Sequence, residues 1–133
     1  MSQENPEQTQ VDTGRKHYRH PVHWRVAIVH DNVGKNEIYH GQTHDLSVTG
    51  ASIFMDKNLF LSAEVIMLLA VPPTSIGQRE TIIEIMCNMA YTVLDSEHSR
   101  FRIGIRFLNF KRNGRQLLED ILSKRSQPQP RIE

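Results

Sequence analysis

FRIGIRFLNF, residues 101–110, is the stretch of sequence that decides the fold. In its first part the odd-numbered positions are apolar, and the even-numbered positions hold Arg102, Gly104 and Arg106. Successive side chains of a β-strand point to opposite faces, so strict alternation is typical of a strand with one buried face. The pattern therefore predicts a strand whose apolar residues pack in a core and whose arginines face water.

Further strands are predicted upstream of this one. They cover residues 23–30, 37–45, 51–54, 64–71 and 81–93, where β-branched, aromatic or uniformly apolar runs occur. Residues 31–36, between the first two, contain Asp, Asn and Gly and are predicted to form a turn. Residues 64–71 also include good helix formers, so a helix stays an alternative there, and Pro72 and Pro73 end either element.

The strand predicted at residues 81–93 has an alternating second half. The residues predicted to share one of its faces are Cys87, Met89, Tyr91 and Val93. Cys87 is the one cysteine of the chain and is expected to be a buried, inert thiol. A single cysteine allows no intrachain disulfide and no cysteine-based zinc site.

The last structured segment is predicted to be a helix at residues 113–125. Its apolar stripe consists of Leu117, Leu118, Ile121 and Leu122. Residues 1–14 and 126–133 contain little to bury and are predicted to be disordered tails. Several short strands followed by one helix indicate a mainly β fold, either an all-β barrel or an α+β domain, over residues 15–125.

The composition limits the classes of function. A chain of 133 residues fits one domain, and 16 Lys and Arg against 15 Asp and Glu give a formal charge of +1. This balance argues against general DNA or RNA binding, which needs a large basic face. No segment reaches the roughly 18 apolar residues that span a bilayer, and the polar N-terminus is unlike a signal peptide. A cytoplasmic protein without membrane insertion is expected.

Two short clusters have the chemistry to bind a ligand. The first is RKHYR at residues 15–19, and the second is DLSVTG at residues 45–50. Arg15 and Arg19 offer planar donor forks that suit phosphate oxygens or the O6 and N7 acceptors of guanine.

The second cluster complements the first. An ionised Asp45 is an acceptor pair for the N1–H and N2–H₂ donors of guanine. In an extended chain Ser47 would point the same way as Asp45 and add a hydroxyl contact. Gly50 permits a positive φ or a close backbone approach. Together the two clusters match a ligand that has both a guanine and a phosphate.

The order R-x-x-x-R, D-x-S-x-x-G and then the strand at residues 101–110 resembles the PilZ domain family. The resemblance covers residues 15–125, nearly all of the predicted domain. It implies a six-stranded antiparallel β-barrel over about residues 20–110 with a C-terminal α-helix at about 113–125. It also implies binding of the bacterial second messenger cyclic di-GMP.

The resemblance also implies which residues of this sequence form the ligand site. The implied ligand-binding residues are Arg15, Arg19, Asp45, Ser47 and Gly50, with Lys16 as a phosphate contact and Tyr91 as the counterpart of an aromatic that some members place near a guanine. Gly14 stands just before the first arginine and adds no side-chain contact, which leaves the ligand stoichiometry open.

The implied function is a receptor or adaptor that orders its N-terminal arginine segment on binding and signals to an unidentified protein partner. An enzyme, a cofactor and a metal are not expected. His17, His20 and His23 have a spacing that suits only a helix, and Pro21 would break it. A monomer is the simplest expectation. One alternative is a PilZ-like protein-interaction module that does not bind nucleotide. Another is a barrel that binds single-stranded nucleic acid, which the aromatic content of 7% disfavours.

Overall fold

The computed structural model describes residues 18–73, 76–97 and 99–125. Within them, six strands precede one helix. The elements are β1 (Arg25–Asn32), β2 (Lys35–Leu46), β3 (Gly50–Met55), β4 (Val65–Val71), β5 (Thr81–Asp95), β6 (Arg100–Phe110) and α1 (Gly114–Lys124). The prediction of a mainly β fold with a C-terminal helix is confirmed.

The six strands form a closed antiparallel barrel in the order β1-β2-β3-β6-β5-β4. Closure occurs between β1 and β4, where Val26 pairs with Leu69 and Ile28 with Met67. Pairing of the first strand with the fourth satisfies backbone groups that an open sheet would leave at its edges. The six-stranded barrel implied by the family resemblance is therefore confirmed.

The barrel interior is filled by one alternating set of side chains from each strand. Fully buried representatives are Ile28, Leu46, Ile53, Met67, Ile85 and Ile103. In β6 the inward residues Ile103 and Ile105 belong to the apolar set predicted from alternation, while Arg106 is exposed. The stretch that decides the fold therefore forms a half-buried strand as predicted.

The first hairpin has a tighter turn than predicted. Only Val33 and Gly34 connect β1 to β2, and both have positive φ values, 53° and 81°. A two-residue turn with two positive φ values matches the right-handed twist of the flanking strands. Asp31 accepts a hydrogen bond from the Gly34 N–H at 3.1 Å. The predicted turn at residues 31–36 was too long because its outer residues pair in the ladder.

The helical alternative for residues 64–71 is wrong. Residues Val65–Val71 form β4, which pairs with β1 on one side and β5 on the other. Val65, Met67 and Leu69 point inward and are at most 1% exposed. The run is apolar because a strand closing the barrel is also covered on much of its outer face.

The predicted face of the second half of β5 is also wrong. Cys87 and Met89 are buried, but Tyr91 and Val93 are 44% and 43% exposed. The register with β6 shifts between Met89 and Tyr91. A bulge inserts one extra residue, here Ala90, and reverses which face the following side chains occupy. Tyr91 therefore lies outside the barrel.

Helix α1 packs one face on the barrel, as its apolar stripe predicts. Leu118 and Leu122 are buried, while Leu117 and Ile121 are partly buried against the same core. Gly114 begins the helix close to Ile83, leaving room for no more than a small side chain there.

Candidate functional site

The chain just after the first cluster is joined to the second cluster by a short backbone bridge. The His20 N–H donates to the Leu46 carbonyl at 2.7 Å, and the Leu46 N–H donates to the His20 carbonyl at 2.9 Å. The following residues, Val22 to Trp24, are also fixed, because the buried Thr43 hydroxyl accepts a hydrogen bond from the Trp24 N–H and donates one to the Val22 carbonyl. The segment before β1 is thereby held along the end of β2.

Arg19 contacts Asp45 directly. Its Nη1 lies 2.8 Å from Asp45 Oδ1, and the two side chains are 39% and 26% exposed. The same oxygen accepts the Ser52 N–H at 3.3 Å. Within the described residues Oδ2 has no hydrogen-bond partner, so the carboxylate retains an acceptor for a ligand while Arg19 is held. The structure thus brings together one predicted residue from each cluster.

Ser47 occupies a different setting from the one that the extended pattern predicts. β2 ends at Leu46, and Ser47 is 1% exposed in the turn that follows. Its Oγ accepts the Thr49 N–H at 3.1 Å and lies 3.0 Å from the Thr49 hydroxyl. Ser47 therefore stabilises the turn and does not lie beside Asp45 along one strand face. Contact of its hydroxyl with a ligand stays a prediction.

Gly50 is required by a close approach of two strands. A Cβ atom at this position would lie 2.5 Å from the Ile105 carbonyl oxygen. The turn is tied to β6 once more, because the Phe107 N–H donates to the Thr49 carbonyl at 3.0 Å. Of the two roles that the sequence allowed for Gly50, the structure supports close approach, since its φ is not among the positive values.

Tyr91 lies over a second glycine on the outer barrel face. Its partner across the β5–β6 ladder is Gly104, and a Cβ atom there would be 2.1 Å from the tyrosine ring. The glycine therefore leaves room for the ring to pack against the strand. At 44% exposure Tyr91 also keeps surface that is accessible to a planar group such as a base.

An open concavity of about 600 Å³ lies above these glycines. Its lining includes Arg19, Gly50 and Tyr91, three residues of the predicted site, together with Gly104. The charged residues of its lining are Arg19 and Arg106, so the concavity suits an anion. Sequence reasoning assigned Arg106 only to the wet face of its strand. The sequence does not show that Arg106 pairs with Gly50, and this pairing is what places Arg106 at the concavity.

The remaining predicted site residues, Arg15 and Lys16, lie outside the described residues. So do the two tails, at residues 1–14 and 126–133.

A larger concavity, about 760 Å³, borders the same N-terminal segment. Tyr18 and His20, on either side of Arg19, line it together with the end of α1. The Arg125 guanidinium lies 5.7 Å from the centre of the Trp24 ring. Burial lowers the pKa of His20, and the nearby positive charge of Arg125 lowers it further.

Other reactive groups are few in the described part of the chain. Burial raises the pKa of the Cys87 thiol to about 12, which makes it a core residue, as expected. Across residues 18–73, 76–97 and 99–125, no group of three or more His, Cys, Asp or Glu side chains is arranged to hold a metal.

No helix in these described ranges is both long enough and apolar enough to cross a membrane.

Solved structures of other proteins share this fold. The chain is similar to the Bacillus subtilis inhibitor of motility MotI/DgrA, with a TM-score of 0.64 and 14% sequence identity over 84% of this chain and 53% of that one. It is similar to the PilZ domain of YcgR from Escherichia coli, with c-di-GMP, at a TM-score of 0.51 and 16% identity, covering 80% of this chain and 87% of that one. It also resembles the K. pneumonia MrkH-c-di-GMP complex, at a TM-score of 0.54 and 17% identity, covering 81% of this chain and 50% of that one. The chain thus spans about half the length of the MotI and MrkH chains.

Among curated proteins there is no significant match. The PilZ domain model, however, matches residues 13–124, a range that includes both sequence clusters, all six strands and α1. The chain belongs to the PilZ domain family.

Proposed function

We propose that this protein is a receptor for cyclic di-GMP that binds the dinucleotide in the concavity between Arg19 and Tyr91. The observation that carries the proposal is the 2.8 Å contact of Arg19 with Asp45 at the edge of that concavity. It combines a guanidinium fork for phosphate or guanine acceptors with a carboxylate for guanine donors. Two of the similar solved structures contain c-di-GMP, which supports this choice of ligand.

In this proposal, different residues contact the phosphates and the bases of the ligand. Arg19, with Arg15 and Lys16 preceding it, supplies positive charge to the phosphates. Asp45 Oδ2 accepts from the guanine N–H donors, and the exposed ring of Tyr91 stacks on a base. Ser47 and Gly50 act chiefly by holding the turn that sets the position of Asp45. The proposed role of this arrangement is ligand binding without catalysis.

Signalling to a protein partner is the second part of the proposal. Arg19 contacts the ligand, while its neighbours Tyr18 and His20 line the larger concavity next to α1. A ligand that orders the arginine segment therefore changes the surface beside the helix. A partner that contacts this surface would respond to the occupancy of the nucleotide site. The expected setting is the bacterial cytoplasm, and the expected protein is a monomer.

Calorimetric titration with cyclic di-GMP tests the ligand. The wild-type protein is expected to bind, and Arg19→Ala is expected to weaken binding about ten- to hundredfold, because a charge-assisted contact contributes about 1.5–3 kcal/mol. Arg25→Ala is the matched control, since it also removes an exposed arginine that is ion-paired to a carboxylate, Glu80. The control should retain wild-type affinity.

Two results would contradict the proposal. Absence of heat with the wild-type protein would favour the alternative, an interaction module that does not bind nucleotide. Equal affinity of wild-type and Arg19→Ala proteins would show that the ligand binds elsewhere.

A further inference from the structure

The outer face of the barrel presents two parallel rows of residues at the candidate site. The first row, across four strands, consists of Asp45, Ser52, Gly104 and Tyr91. The second row consists of Gly50, Arg106 and Asn88, which lie two residues further along β3 and β6 and, because of the bulge at Ala90, three residues further along β5. A strand rises about 3.3 Å per residue and neighbouring strands lie about 4.8 Å apart. Asp45 on β2 and Arg106 on β6 have β3 between them, so their backbones are separated by two strand spacings across the sheet as well as by roughly 7 Å along it. The side chains of both residues must extend towards each other for one purine base to contact both.

Arg106 is held in the second row by the turn that follows β2. The absence of a Cβ atom at Gly50 lets the Ile105 carbonyl approach closely on one side of Arg106. On the other side, the Phe107 N–H donates to the Thr49 carbonyl at 3.0 Å. The backbone of Arg106 is therefore fixed against the motif that carries Asp45, although Arg106 is not part of that motif.

The Arg106 side chain is available to a ligand. It is exposed, and it lines the concavity of about 600 Å³ together with Arg19. Among residues 18–73, 76–97 and 99–125 it has neither an ion-pair nor a hydrogen-bond partner. Arg19, in contrast, already contacts Asp45. The free donor fork in the lining of this concavity is therefore that of Arg106.

We infer that Arg106 is a specificity-determining residue that selects guanine over adenine in the cyclic dinucleotide. The inference rests on the proposed function and assigns one base edge to each row. A guanine lying across the rows directs its N1–H and N2–H₂ donors to Asp45 and its O6 and N7 acceptors to Arg106. Arginine binds these two acceptors of guanine bidentately, whereas adenine presents a donor, N6–H₂, in place of O6.

Titrations of wild-type and Arg106→Gln proteins with cyclic di-GMP and cyclic di-AMP test the inference. Arg106→Gln is expected to weaken cyclic di-GMP binding about ten- to hundredfold, because it removes a charge-assisted bidentate contact. Binding of cyclic di-AMP should stay the same or strengthen, since glutamine pairs with N6 and N7 of adenine. The measured ratio of the two dissociation constants should therefore fall.

Two further variants separate base recognition from general electrostatics. Arg106→Lys keeps the charge and loses the planar fork, so it too should lose discrimination. Arg115→Gln removes an arginine on α1, which pairs with Glu119, and should change neither constant. A thermal melt verifies that each variant is folded.

The outcomes distinguish this inference from the function on which it rests. If wild-type protein binds neither dinucleotide, the proposed function fails and the inference with it. If wild-type protein binds cyclic di-GMP but Arg106→Gln weakens both dinucleotides equally, Arg106 contacts phosphate and the selectivity role is overturned. Unchanged affinities in Arg106→Gln also overturn it.

Discussion

Two glycines of the site permit close contacts of different kinds. A Cβ atom at Gly50 would meet a backbone carbonyl, that of Ile105, at 2.5 Å. A Cβ atom at Gly104 would meet the exposed ring of Tyr91. A backbone carbonyl in a paired strand cannot move without disturbing its ladder, whereas an exposed ring can rotate away. The same substitution should therefore have different consequences at the two positions.

We expect Gly50→Ala to lower the free energy of unfolding by about 1–3 kcal/mol, the usual cost of added bulk in a packed position. Gly104→Ala should cost less than Gly50→Ala in stability and should instead weaken cyclic di-GMP binding by moving the Tyr91 ring. Urea denaturation and calorimetry on the same two variants measure both quantities. Equal destabilisation by the two variants would show that Tyr91 is fixed as firmly as the backbone.

At the scale of single residues, sequence reasoning named candidate site residues but could not give their geometry. The motifs named Arg19 and Asp45, but the 2.8 Å contact between them depends on a bridge between His20 and Leu46 that no local pattern encodes. Arg106 carries no motif signal. Only its register opposite Gly50 places it at the concavity, and register between distant strands is a tertiary property.

The segment that precedes β1 lies next to both β2 and the concavity beside α1. Its outward arginine, Arg19, contacts β2, while His20 faces the concavity beside α1 and is 7% exposed. The Tyr18 and His20 rings pack nearly perpendicular to each other, with centroids 5.0 Å apart. Burial lowers the pKa of this imidazole and the positive charge of Arg125 lowers it further, while Lys124 lines the same concavity.

We expect this burial to make the stability of the protein depend on pH. The pKa of His20 is lowered from 6.5 in the folded protein, so the unfolded chain binds a proton more readily. The contribution is therefore favourable at higher pH and is lost as the pH falls below about 6.5. Urea denaturation at pH 7.5 and 5.5 measures the difference. His20→Gln should reduce it, and the exposed His40→Gln should not.

The opposite slope, with stability increasing on acidification through this range and insensitive to His20→Gln, would show that His20 does not determine the pH response.

Secondary structure was predictable wherever one face alone is buried. β6 and α1 follow their periodic patterns closely. β4 was also predicted as a strand, but a helix stayed an alternative there because its uniformly apolar run does not alternate; its outward Ile66 and Leu68 are partly buried. The bulge at Ala90 was also invisible, since inserting one residue changes the register without changing the composition. Its consequence is large, because it turns Tyr91 outward towards the concavity that Arg19 also lines.

The closed barrel as a whole makes one prediction about unfolding. Cys87 points into its centre, is 0% exposed and has a pKa raised to about 12 by burial. Only the thiolate reacts with disulfide reagents, so opening of the barrel must precede modification. Trp24, the one tryptophan, is 7% exposed at the barrel end next to α1. The two residues report on different parts of the same core.

We expect Cys87 modification and Trp24 fluorescence to change at the same urea concentration, because a single closed core should unfold cooperatively. Met67→Cys, at a position that is also 0% exposed, is a suitable second probe in a Cys87→Ala background. Modification of either thiol well below the fluorescence midpoint would show that the barrel opens locally. The closure itself was implied by the family resemblance and could not be deduced from individual strands.

The ion pair between Arg19 and Asp45 has a consequence for how the molecule can be dissected genetically. Each of these residues helps to position the other, and each is also expected to contact the nucleotide. Removing one side chain therefore also displaces the other. The losses of binding free energy measured for the two single substitutions then both include the contact between them, so they cannot be added. The contribution of each residue to the binding free energy can be separated only by a double-mutant cycle that includes the protein with both residues replaced.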